Sequence, residues 1–98
     1  MSNAARIAEQ GADRCAIAGE LTFAEVPQLW KQLRESQLMN RVAAVDLAAV
    51  SDADSAGLAL LISWRASRQA RGASLVFERV PERLLALARL TGAQSLLS

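Results

Sequence analysis

The chain has no histidine and no tyrosine, one cysteine and one lysine. Without histidine, Ser-His or Cys-His catalysis has no base. Zinc sites of the usual kind lose their imidazole ligands and their paired thiolates. A lone Cys15 makes no internal disulfide, which fits a reducing compartment. Its apolar surroundings in sequence read as those of a small buried hydrophobe. No apolar run reaches the roughly 18 residues of a membrane span. No basic stretch followed by an apolar one marks a signal peptide. The net charge of +1 implies no basic face for nucleic acid. No phosphate-binding glycine loop or dinucleotide fingerprint occurs. These absences point away from an enzyme and lead to the expectation of a cytoplasmic protein. Residues 1–4 read as tag-derived or disordered.

Ninety-eight residues, 52% of them hydrophobic, suffice for one small domain with one core. Ala5 to Glu9 is a first strand candidate, and Gly11-Ala12-Asp13 a turn. Arg14 to Ile17 alternates and ends at Gly19, giving a second strand. Thr22 and Glu25 have the spacing of a capping box. The helix after them carries Val26, Leu29, Trp30 and Leu33 at helical spacing, admits Pro27 in its first turns and ends near Gln37. Val42 to Leu47 is a buried strand candidate. A small polar loop with Ser51, Asp52, Asp54 and Ser55 follows it. Gly57 and Leu58 then open a helix that runs to about Arg71 and stops at Gly72. Leu75 to Val80 is a further strand. Pro81 opens a last helix with Leu84, Leu87 and Ala88 inward, broadened by Leu85 and Leu90, and Gly92 ends it. Leu96 and Leu97 form an edge strand or simply pack. Helix-connected strands run parallel through right-handed crossovers, so the order implies a small α/β domain with a mixed sheet and a parallel core flanked by helices.

Two features remain to be placed. In the helix after Gly57, Leu58, Leu61 and Ile62 form one stripe, extended by the stem of Arg65. Leu60 and Trp64 project elsewhere, so a partner is expected to cover them. Asp54 or Ser55 is positioned to cap the same helix. Asp46 is expected to hydrogen-bond the loop that follows it. Asp52 and Asp54 are too few for a cation cage, so no metal and no cofactor is expected.

The run Asp54-Ser55-Ala56-Gly57-Leu58 after Val45-Asp46-Leu47 resembles the core signature of STAS domains, the sulfate transporter and anti-sigma factor antagonist family. In antagonist members the residue matching Ser55 is the phosphorylated one. Ser55-Ala56-Gly57-Leu58-Ala59-Leu60-Leu61, Ala70-Arg71-Gly72 and Leu84 through Gly92 look most like the MlaB-like subunit of the bacterial phospholipid transporter that maintains outer-membrane lipid asymmetry. This resemblance, covering roughly Gly19 to Leu97, implies a non-catalytic STAS fold bound to an ABC transporter ATPase. Its membrane association would come only through that complex, at the inner membrane. The rival implication is an anti-sigma factor antagonist that switches partners with a serine kinase. The expected partner-binding residues are Asp52, Asp54, Ser55, Ala56, Gly57, Leu60, Trp64 and Trp30. For Trp30 the helical phase indicates core, while the family's Leu-Trp pair implies an interface.

Overall fold

A computed structural model describes residues 4–97. The tag or disorder expectation for residues 1–3 lies outside the described residues. Strands β1 (Arg6–Glu9), β2 (Arg14–Leu21), β3 (Ala44–Ala53) and β4 (Val76–Glu78) form one sheet in that order. The β1–β2 pair is antiparallel; β2–β3 and β3–β4 are parallel. Helices α1 (Val26–Glu35), α2 (Leu38–Arg41), α3 (Ser55–Ala70) and α4 (Glu82–Thr91) flank it, and a 3-10 turn at Gln94–Leu96 closes the chain. The mixed sheet with a parallel core is the one implied by the sequence.

Strand β2 alternates strictly. Cys15, Ile17, Gly19 and Leu21 are buried, and the residues between them are half-buried. Burial raises the Cys15 thiol pKa to about 11, aided by Glu9, so the group is inert as expected. β3 is longer than Val42 to Leu47, because the stretch read as a loop stays extended through Ala53. It holds two more residues than β2 needs: Ala16 and Ala18 pair with Asp46 and Ala49, and Gly19 and Glu20 with Val50 and Asp52. Each extra residue is a bulge. The first exposes the Ala48 amide, and Asp46 Oδ1 accepts from it at 2.9 Å. Asp46 is buried and also takes a two-pronged ion pair from Arg79, one prong at 3.1 Å. The Ala48 amide and then Arg79 hold its carboxyl below the usual range against the cost of burial.

Several local expectations are corrected. Thr22 and Glu25 form no capping box. The segment is a turn closed by the Thr22 carbonyl, α1 starts only at Val26, and the Glu25 carboxylate accepts instead from the Ala5 amide at 2.9 Å. Pro27 does sit in the first turn. Gln37 takes a left-handed conformation and opens the unforeseen single turn α2, which buries Leu38 and Met39. β4 keeps only Val76–Glu78, since Arg79 turns left-handed at φ 53°. On α4, Leu84 and Ala88 are buried, while Leu90 is 84% exposed. Leu96 and Leu97 make no strand; Leu97 packs into the core.

Candidate functional site

The strand ends of β2 and β3 converge on the first turn of α3. Asp54 is the N-cap: its Oδ1 accepts from the Ala56 amide at 2.9 Å and the Gly57 amide at 3.2 Å. Its Oδ2 accepts from the Phe23 amide at 3.0 Å, on the loop between β2 and α1. Burial works to raise the Asp54 pKa. The three amides and Arg83 outweigh it and hold the carboxyl below the usual range. Ser55 is therefore spared the capping role. It is the first residue of α3, exposed, and its hydroxyl has no partner among the described residues. It lies where unpaired amides and the helix dipole favour negative charge. Asp52, three residues before it on β3, is exposed, with its Oδ1 3.8 Å from Arg83 Nε; the same Nε donates to the Ala53 carbonyl at 3.1 Å.

Gly57 is structural. A Cβ there would lie 2.0 Å from the Leu21 carbonyl oxygen and 2.8 Å from Leu21 Cγ. The first turn of α3 presses onto the end of β2, and the Asp54 amide donates to the same carbonyl at 3.2 Å. Gly57 is thus part of the core and offers a partner no surface.

Trp64, expected to face a partner, is 0% exposed. Its indole Nε1–H donates to the Met39 carbonyl at 3.1 Å. The second apolar side of α3 is covered from within, by α1 and the turn α2 that the sequence did not announce. Leu60 is 3% exposed and contributes only an edge to the surface. The Leu58–Leu61 stripe is buried, Ile62 is half-buried, and Arg65 follows it to donate to the Leu96 carbonyl at 2.8 Å.

What remains accessible is a groove between α1 and α3 that starts beside Ser55. Its near end is lined by Val26, Trp30, Ala56, Ala59, Leu60 and Ser63. Trp30 is half-buried: it packs on the core and forms the α1 wall. Phe23 is 74% exposed on the loop that Asp54 holds. Its place after Thr22 read as cap chemistry, which hid it. Of the expected surface, Trp30 and Ala56 line one groove with Ala59, Asp54 ties the Phe23 and Ala56 amides together, and Asp52 lies instead against Arg83. The geometry can present a hydroxyl beside an aromatic and apolar platform. Among the described residues no three potential metal ligands cluster, and no helix is long and apolar enough to cross a membrane.

A family model described as "Mlab, STAS domain" matches residues 5–98. The chain belongs to the STAS-domain family. No curated protein matches it significantly. The fold is similar to that of the anti-sigma factor antagonist SpoIIAA in its unphosphorylated form, with a TM-score of 0.69 and 16% identity over 97% of this chain and 86% of that one. It is equally similar to the Bacillus cell fate determinant SpoIIAA in the phosphorylated form, with a TM-score of 0.69 and 15% identity over 97% of this chain and 89% of that one. At such identity the likeness is one of fold. STAS domains mediate protein–protein contacts.

Proposed function

We propose that this STAS domain is the accessory subunit of an Mla-type phospholipid ABC transporter, binding its ATPase and stabilising or regulating it. The match of residues 5–98 to a family model described as "Mlab, STAS domain" carries the reading. The exposed Phe23, half-buried Trp30 and small Ala56 and Ala59 beside Ser55 suit a protein interface, where aromatics serve as anchors. On this reading the chain is non-catalytic and the ATPase carries the nucleotide chemistry. The chain sits in the cytoplasm, peripheral to the inner membrane through its partner. The test is co-purification from the native host with mass spectrometry. Recovery of the ATPase is the expected result; recovery of a serine kinase without it overturns the proposal.

A second reading, an anti-sigma factor antagonist phosphorylated on Ser55, is favoured by one observation. The Ser55 hydroxyl is exposed and unbonded among the described residues at a helix N-terminus. A phosphate there brings close to two negative charges beside Asp52 and Asp54. Burial against a partner would also strip its water, so Ser55→Asp lowers binding under both readings. Ser55→Ala separates them: an antagonist loses its phosphorylation and binds constitutively, while a transporter subunit carries no phosphate to lose. Stoichiometric phosphoserine at position 55 in protein from the native host selects the antagonist.

A further inference from the structure

Strand β3 reaches Ser55 by an interrupted path. Between the partners of Ala16 and Glu20 it carries two more residues than β2, so the ladder breaks twice before Ala53. A slip of one residue would turn Ala53 out of the core and carry Ser55 along with it. Broken pairing holds that register weakly, so other groups have to hold it. Both holds come from one short segment. Arg79, directly after β4, grips Asp46 with two prongs, and Asp46 in turn accepts from the Ala48 amide of the first bulge. Arg83, in the first turn of α4, donates from Nε to the carbonyl of Ala53, the last residue of β3, at 3.1 Å.

The two arginines are stiffly linked. Arg79 stands at φ 53°, a left-handed conformation that a residue other than glycine keeps where its surroundings impose it. Val80 is branched at Cβ and precedes a proline, which confines it to extended backbone. Pro81 has its φ fixed by its ring, serves as the N-cap, and is followed at once by α4. The segment 79–83 therefore spans the bulged half of β3 with one arginine at each end. Neither arginine belongs to the signature run that ends at Leu58. We infer that Arg79 and Arg83 are positioning residues for the surface at Ser55: they clamp the bulged half of β3 at both ends and so fix where Asp54 and Ser55 meet the first turn of α3. The inference rests on the reading above that the ATPase binds this surface.

The test uses the full chain and reads amide hydrogen exchange by NMR beside affinity for the purified ATPase subunit. Arg83→Ala removes an exposed side chain and should leave the fold in place. In it the Phe23, Ala56 and Gly57 amides that Asp54 holds should exchange at least roughly tenfold faster. The Leu33 amide in α1 should keep its rate. Arg83→Lys, which can still donate to the Ala53 carbonyl, should recover part of the protection. Arg79→Gln should show the same local pattern as Arg83→Ala. Arg89→Ala, on α4 but paired with Glu82, should match the wild type. Affinity for the ATPase should fall across these variants in the same order as protection. Wild-type exchange at the three amides in either Arg83→Ala or Arg79→Gln overturns the inference. Exchange that quickens equally at Leu33 reports general destabilisation and overturns it as well. Weaker ATPase binding with unchanged exchange makes Arg83 a direct contact, which also overturns it. Faster loop exchange with full ATPase affinity overturns it and leaves the functional reading standing. An ATPase that ignores the wild type overturns that reading, and the exchange rates still decide whether the two arginines position the loop.

Discussion

Gly57→Ala opposes two physical effects of opposite sign. At an unconstrained helical position, alanine is favoured over glycine by about 1 kcal/mol, so propensity alone predicts a more stable protein. Here the new methyl would lie 2.0 Å from the Leu21 carbonyl oxygen, a backbone atom that cannot rotate aside. Relief requires α3 to lift from the end of β2 by more than 1 Å, a distance estimated from ordinary contact distances near 3.5 Å. That lift stretches the 3.2 Å bond from the Asp54 amide to the same carbonyl. Overpacking of this kind costs about 1–3 kcal/mol, and a lost hydrogen bond adds about 0.5–1.5 kcal/mol. The propensity gain offsets part of it, leaving a net loss of about 1–3 kcal/mol. For a chain of this length each kcal/mol lowers the melting temperature by about 4–8 °C. Circular dichroism melts of wild type and Gly57→Ala, with urea midpoints as a second measure, decide the sign. A variant that melts at or above the wild-type temperature would refute the packing argument and return Gly57 to the surface.

Trp64→Ala should cost about 3–5 kcal/mol of folding stability, because it empties a fully buried site and orphans the Met39 carbonyl; Trp64→Phe should cost less, and an unchanged urea midpoint for Trp64→Ala would place the indole outside the core. Asp54→Ala should cost about 1–2 kcal/mol as a lost cap, whereas Ser55→Ala should stay within about 0.5 kcal/mol, and equal losses in chemical denaturation would contradict the division of roles. Asp46 and Asp54 both have carboxyl pKa values held below those of the unfolded chain, so the stability they contribute is present above about pH 4 and is lost as the pH falls through their folded values. Urea midpoints from pH 7 to pH 3 should fall less steeply for Asp46→Asn/Asp54→Asn than for the wild type, and parallel slopes would show that these two carboxylates do not drive acid unfolding.

Patterns that repeat along the chain were readable from the sequence, and those that depend on distant contacts were not. The alternation of Cys15, Ile17 and Leu21 and the helical spacing of Leu29 with Leu33 mark elements by period alone. A four-residue helix such as α2 has no period to show, and without α2 the second apolar side of α3 looked unpaired. From the sequence alone Trp64 therefore reads as outward-facing, whereas it is fully buried. The extension of β3 was hidden in the same way: Ser51 and Asp52 have turn chemistry, and pairing with β2 overrides it. At the candidate site, a cap by Asp54 or Ser55 follows from local rules, and the structure gives that role to Asp54. Phe23 joins them only through an amide held by a carboxylate 31 residues away, which no local spacing reveals.

The two outer strands are the shortest of the sheet, four residues in β1 and three in β4, against eight and ten inside. An open strand edge is a template on which another chain can extend the ladder, and short, charged edges blunt it. Here Arg6 and Glu9 bound one edge, and beyond Glu78 the left-handed turn at Arg79 bends the other away. Edge-to-edge polymerisation therefore finds little backbone to copy. A partner that would add a strand finds equally little, so the sheet edges offer short ladders while the helices present the longer continuous faces.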